Sequence, residues 1–231
     1  MIYALNWTIA VRTLVSAVFL LVCVFLVIQG EGSIASVLAA RYIVPTAIVI
    51  FLVLLNIPAV FGIAHKITFA KYWLFPNLNG EWEAVIVSNW PVIKKTYDAA
   101  KSGGPPFNAI TDKLNAAEEK SRKSKADVVI SSSLFSFKMV LRPVGSLRES
   151  RTLFMRPTRL GDGLSELSYV FEQVDTEAVE TTDSKKHLGA GVVRFDPDTD
   201  EIRGDYWSDR REDVGLNTAG TIRMTRKRPS S

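Results

Sequence analysis

The chain has 231 residues, a formal net charge of +4, 47% hydrophobic residues and one cysteine. This balance excludes a disordered polyelectrolyte and a disulfide-held scaffold, and the small basic surplus does not by itself call for a nucleic-acid polymer. It suits a domain working near anionic lipid or around one small polyanion.

Two apolar runs open the chain, Ile9 to Ile28 and Tyr42 to Ile63. Each is about 20 residues, the helical length that crosses a hydrocarbon core of about 30 Å. Residues 1–64 carry only Arg12, Glu31 and Arg41 as formal charges, and Arg12 can snorkel to the interface. A secretory signal peptide is the competing reading of the first run, with Ala35-Ser36-Val37 and Ala39-Ala40 imitating a cleavage site. The length of that run and the second run behind it favour a retained anchor. Arg12, Lys66 and Lys71 at the outer ends, against Arg41 beside Glu31 in the loop, put both termini in the cytoplasm. Residues 1–73 are therefore expected to form a transmembrane helical hairpin, helices 9–28 and 42–63, with Cys23 a small apolar residue of the first. Asn56 and Pro58 interrupt the second run. A kink satisfied locally and a self-association contact both remain open there. Lys66 to Trp73 has the composition of an interfacial belt, and the turn residues Pro76 to Gly80 lead into a cytosolic domain over 75–228.

Glu81 to Ser88 reads as a strand by β-branched content and partial alternation. Beyond a Gly103-Gly104-Pro105-Pro106 break, Phe107, Ile110, Leu114 and Ala117 recur at helical spacing, which predicts one amphipathic helix over about 105–123. It would pack on its own domain or on the bilayer. Further strands are expected at Val128 to Ser132, Phe135 to Arg142, Ser150 to Arg156, Leu167 to Glu172, Gly189 to Phe195, Ile202 to Trp207 and Gly220 to Arg226. Turns fall at Pro143 to Ser146, Gly161-Asp162-Gly163, Asp196 to Asp200 and around Gly215. About eight short strands at hairpin spacing predict an all-β domain, an up-and-down antiparallel barrel of the lipocalin kind rather than a sandwich. Closure removes exposed edges, and eight strands can hold one small ligand.

Alternation assigns inward faces. Ile202 sets the parity of its strand, so Gly204, Tyr206, Ser208 and, if the strand runs on, Arg210 share the interior, while Asp205 points out. Val193 and Phe195 do the same for Gly191, Gly189 and His187. Inward glycines are expected to leave a ligand cavity, in preference to marking a bulge or barrel corner. Arg210 offers a bidentate phosphate contact; Tyr206, Tyr169 and Trp82 offer ring faces; and Asn217, Thr218 and Ser208 offer hydrogen bonds. An anionic, flat ligand follows. The two histidines are His65 and His187, the domain has no cysteine, and neither a phosphate-binding loop nor a zinc-protease pattern occurs. No catalytic residue, cofactor or metal is therefore assigned. Asp205, Asp209 and Asp213 read as solvated charges, and Arg223, Arg226, Lys227 and Arg228 as a solvated basic edge.

The order of features is two spanning segments, Phe75 to Trp82, the Leu167-Ser168-Tyr169 strand, His187-x-Gly189, Gly204-Asp205-Tyr206-Trp207-Ser208-Asp209-Arg210 and Thr218 to Ile222. It resembles the two-transmembrane β-barrel effectors of bacterial cyclic-oligonucleotide-based antiphage signalling, also described as SMODS-associated. This chain has Ser208 where that family usually has Thr. The resemblance implies an inner-membrane receptor, not an enzyme, linked functionally to a cyclic nucleotide synthase. Its barrel would bind a cyclic dinucleotide as activating ligand, the protein would form a homo-oligomer, and the helices would disrupt the bilayer. The alternative is a membrane-tethered lipocalin-like carrier or enzyme acting on a lipid-like or nucleotide ligand.

Overall fold

The computed structural model describes residues 18, 22, 46–66, 75–133, 136–160, 164–175, 185–212 and 215–227. The expected helix 9–28, the belt at 67–73, the turn at 161–163, Asp213 and Arg228 lie outside them, apart from positions 18 and 22 of the helix. The chain divides into two compact units, Met1–Asn77 with Ser132–Ser136, and Leu78–Ser131 with Phe137–Ser231.

In the first unit the expected second span is bent at Pro58, and its two halves have the length and composition of a span only when taken together. Two helices, α1 (Thr46–Leu54) and α2 (Pro58–Lys66), meet at a 98° bend, and no single helix among the described residues is long and apolar enough to cross a membrane. Pro58 is the cause, since it has no N–H to continue the ladder and stands at the first position of the new helix. The last turn before it tightens, with Asn56 N–H to Val53 O and Ile57 N–H to Leu54 O, each 3.0 Å. The Asn56 amide oxygen takes the Ser133 hydroxyl at 2.7 Å rather than a neighbouring helix, and His65 Nε2 bonds Phe75 O at 2.6 Å.

The second unit holds eight strands: β1 (Gly80–Ser88), β2 (Lys123–Ser132), β3 (Phe137–Pro143), β4 (Glu149–Arg159), β5 (Ser165–Val174), β6 (Lys186–Asp196), β7 (Glu201–Ser208) and β8 (Thr218–Arg226). They close in sequence order into a barrel, with β1 antiparallel to β8, so every strand has two neighbours and no edge remains to template aggregation. The inward parities are those expected: Leu167, Tyr169 and Phe171 on β5, Val193 and Phe195 on β6, and Ile202 on β7 are buried, while Asp205 is exposed. A bulge in β4 shifts the register between Thr152 and Phe154, which turns two successive apolar side chains, Leu153 and Phe154, outward.

The predicted helix over 105–123 does not form. Helix α3 (Trp90–Ser102) precedes it, and only the short α4 (Ala116–Ser121) follows. Asn89 and Pro91 mark the start of α3, and Gly103, in the left-handed region at φ 65°, stops it. Between the helices, Asn108 Oδ1 accepts from Ile110 N–H and Asp112 Oδ2 from Asn108 N–H, so side chains take the donors a helix needs. Ile110, assigned to the apolar stripe, is 94% exposed. The Asn115 and Glu118 capping box then starts α4, and Lys95 reaches Glu118 at 2.9 Å to tie the two helices together.

On the outer wall Arg194, Arg203 and Arg223 stand side by side on β6, β7 and β8, and Glu201 pairs with both Arg203 and Arg223. The basic residues assigned to a solvated edge are thus ion-paired in part. The two guanidinium partners hold the Glu201 carboxyl below its ordinary range. A depressed carboxylate pKa stabilises the fold above the unfolded value, near 4.3, and that gain disappears as pH falls through the folded one. Glu201→Gln is expected to lower the thermal midpoint at pH 7, with the gap to the parent protein narrowing toward pH 3 when both are scanned by calorimetry.

Candidate functional site

The interior is packed at one end and hollow at the other. At the packed end Trp82 is fully buried; its indole N–H donates to Leu78 O at 3.0 Å, Phe195 meets it edge-on at 6.4 Å, and the Arg226 guanidinium lies 4.2 Å above it. Asp200 and Asn79 O hold Arg226 in place. Ala84, Val128, Leu167, Val193, Ile202 and Met224 fill the layers beside it, each at most 1% exposed. Trp82 therefore plugs the floor and does not line the cavity, correcting its assignment to the site.

The cavity, about 370 Å³, occupies the opposite end, where β1 finishes and β8 begins. That volume lies in the range of small-molecule sites, roughly 300–1,000 Å³. Tyr169, His187, Tyr206, Ser208, Arg210 and Thr218 all line it, as expected from the sequence. Asn217 does not: it is exposed, one residue outside the inward face that Thr218 begins. Arg210 is half-buried with its guanidinium 4.1 Å from the centre of the Trp90 ring. The Ser208 and Thr218 hydroxyls bond one another across β7 and β8.

The glycines serve another purpose than the one expected. A Cβ on Gly191 would lie 2.5 Å from the Tyr169 ring, one on Gly189 2.2 Å from Phe171, and one on Gly204 2.0 Å from Val192 O. Tyr169 pairs directly with Gly191, and Phe171 with Gly189. Thus Gly189 and Gly191 are roofed by aromatic rings from the next strand and Gly204 by backbone, and none of them hollows the interior. By taking rings against the wall, Gly189 and Gly191 keep those rings from crossing the lumen.

Three groups at the rim escaped the sequence reading. Trp90 belongs to α3; Arg122 joins α4 to β2; and Arg148 stands just before β4. Arg148 pairs with the buried carboxylate of Asp175 at 3.3 Å, and Gln173 Nε2 donates to the same oxygen. Arg122 pairs through a terminal nitrogen with Glu119 at 3.3 Å, while its Nε is a buried donor with no acceptor. An unmet donor of this kind costs about 1–3 kcal/mol, which an incoming acceptor would relieve. Phe171 shares the parity of Tyr169 and was legible on that ground; Arg122 and Arg148 lie beside turns, where alternation says nothing.

Among the described residues that line the cavity there is no Asp or Glu, whereas three arginines and a histidine contribute. Burial raises the Tyr169 phenol well above its ordinary value, with nearby Tyr206 adding to the effect. Burial also raises Tyr206, partly offset by a hydrogen bond with Ser88 and the charge of Arg210. Both phenols stay neutral and remain donors at physiological pH. Asp209, read from the sequence as a solvated charge, accepts the Leu188 N–H at 2.6 Å. The chain matches no protein-family model and no curated protein.

Three substitutions test this layout. Trp82→Ala is expected to cost about 3–5 kcal/mol of stability in denaturant titrations, since it removes a fully buried ring. Gly204→Ala, blocked by backbone, is expected to destabilise by at least about 1–3 kcal/mol. Gly191→Ala is expected to swing the Tyr169 ring into the lumen, leaving more stability than Gly204→Ala but a smaller cavity, measurable by crystallography or ligand titration.

Proposed function

We propose that the chain is a membrane-anchored receptor whose barrel binds a cyclic dinucleotide. The observation that carries this reading is the cavity of about 370 Å³, lined by Arg210, Arg122 and Arg148 together with Tyr169, Phe171 and Tyr206, with no carboxylate in its described lining. Guanidinium groups pair with phosphate oxygens, aromatic faces stack on bases, and hydroxyls from Ser208 and Thr218 complete the hydrogen bonding. A wall free of acidic groups selects for anions, because a carboxylate there would repel phosphate in a poorly screened space.

The rest of the proposal rests on the family resemblance and the apolar N-terminal runs. The anchor lies in a bacterial inner membrane with the barrel and both termini in the cytoplasm. A cyclic nucleotide synthase supplies the ligand during phage infection, the chain self-associates, and the bilayer is disrupted, ending in cell death or growth arrest. No catalytic role or cofactor is assigned. Ligand can drive assembly only by binding the assembled form more tightly than the resting one. A lipid carrier is the weaker reading, since a carrier calls for an almost wholly apolar lining.

Calorimetry on the full chain in mild detergent, with a panel of cyclic dinucleotides, tests the receptor. At least one is expected to bind and to be recovered unchanged. Arg210→Ala is expected to weaken it by more than about 1.5 kcal/mol, roughly tenfold, as for a charge-assisted contact. Near-parental affinity in that variant would refute the assignment, and an oligomer size that ligand leaves unchanged would remove the assembly step.

A further inference from the structure

We infer that the cavity grips its ligand at separated poles, with Arg210 at one and Arg122 and Arg148 at the other, so that the ligand carries at least two anionic groups directed to different walls. This rests on the receptor reading above and goes further, assigning Arg122 and Arg148 to the site and giving the ligand its charge pattern.

Barrel topology makes the argument. Arg122 immediately precedes β2, Arg148 immediately precedes β4, and Arg210 follows β7 by two residues. Around a closed ring of eight strands those stations are two, three and three strands apart, so the three guanidiniums form a collar rather than a cluster. All three border the same cavity. A ligand with one phosphate reaches one station; a ring with two phosphates on opposite sides reaches both poles at once.

The far pole is built for an exchangeable partner. Arg122 holds Glu119 only through a terminal nitrogen, in an exposed i, i+3 pair of little worth, and its buried Nε awaits an acceptor. Arg148 is steadied by Asp175, whose side chain is 3% exposed, so its guanidinium is held at the rim instead of sweeping through solvent. Ser146 and Ser150, on either side of Arg148 in sequence, also line the cavity and supply neutral donors beside it. At the near pole Arg210 lies over Trp90, with Ser208 and Thr218 close by in the lining.

The test titrates the full chain in mild detergent with 3′,3′-cyclic di-AMP, cyclic di-GMP and the mixed cyclic dinucleotide, and with 3′,5′-cyclic AMP as a single-phosphate probe. Arg122→Gln, Arg148→Gln and Arg210→Ala are compared with Arg194→Ala, an outer-wall control whose partner is Glu166. Thermal midpoints are measured alongside. Where a Gln variant unfolds early, the Lys variant, which keeps the charge but not the fork, replaces it. Expected is a loss of about tenfold or more in cyclic dinucleotide affinity for Arg122→Gln, Arg148→Gln or both, with Arg194→Ala unchanged. Cyclic AMP is expected to bind at least about a hundredfold more weakly. Cyclic dinucleotide binding that falls with Arg210→Ala yet is untouched by both Gln variants overturns the second pole and leaves the receptor standing. Absence of any cyclic dinucleotide binding by the parent chain removes both.

Discussion

Everything about the barrel follows from one constraint: when eight strands close, every second side chain of each strand enters one shared, narrow volume. A ring of that size leaves little room beyond what its side chains fill, so the choice of inward residue at each level decides whether the level is solid or empty. At the floor the choices are Trp82, Leu167, Ile202 and Met224, and nothing is left open. At the other end they are Ser88, Ser208, Thr218 and His187, with Tyr169 and Phe171 drawn against Gly191 and Gly189. Short polar groups and rings laid against the wall leave the space that bulky aliphatics would have taken.

The charge distribution follows the same division. On the outer wall arginines are matched by carboxylates: Glu201 serves two of them, and Glu166 serves Arg194. At the hollow end the arginines border a space whose described lining has no acid at all, and the acids that hold them, Asp175 and Glu119, lie outside it. The guanidiniums of Arg122 and Arg148 thus border the cavity while the carboxylates that pair with them stand behind, outside its lining. The α3 and α4 insert contributes Trp90 at its start and adjoins Arg122 at its end, so a segment outside the barrel wall completes the rim.

The helical expectations met local backbone chemistry that apolar spacing does not report. Over 105–123 the spacing of Phe107, Ile110, Leu114 and Ala117 is helical, but Asn108 and Asp112 capture backbone donors and the Gly-Pro-Pro sequence prevents continuity with α3. The stronger signal was the pair of boundaries, Asn89 with Pro91 at the start and Gly103 at the stop, which frame a real helix lacking a clean apolar stripe. In the second apolar run Pro58 marked the place of a kink, and the structure gives its size, 98°, because hydropathy is blind to the hydrogen bond that Pro58 withholds.

By itself the sequence determined the strand count, the faces of β5, β6 and β7, and the inward position of Tyr169, His187, Tyr206 and Ser208. These depend on a period of two along one strand, a local property of the pleat. Only the tertiary structure decided that Trp82 closes the floor, that Asn217 stays outside, that the glycines seat rings instead of making space, and that Arg122 and Arg148 join Arg210 at the mouth. Those facts depend on register between strands distant in sequence and on where the connecting turns come to rest, and alternation within a single strand carries neither.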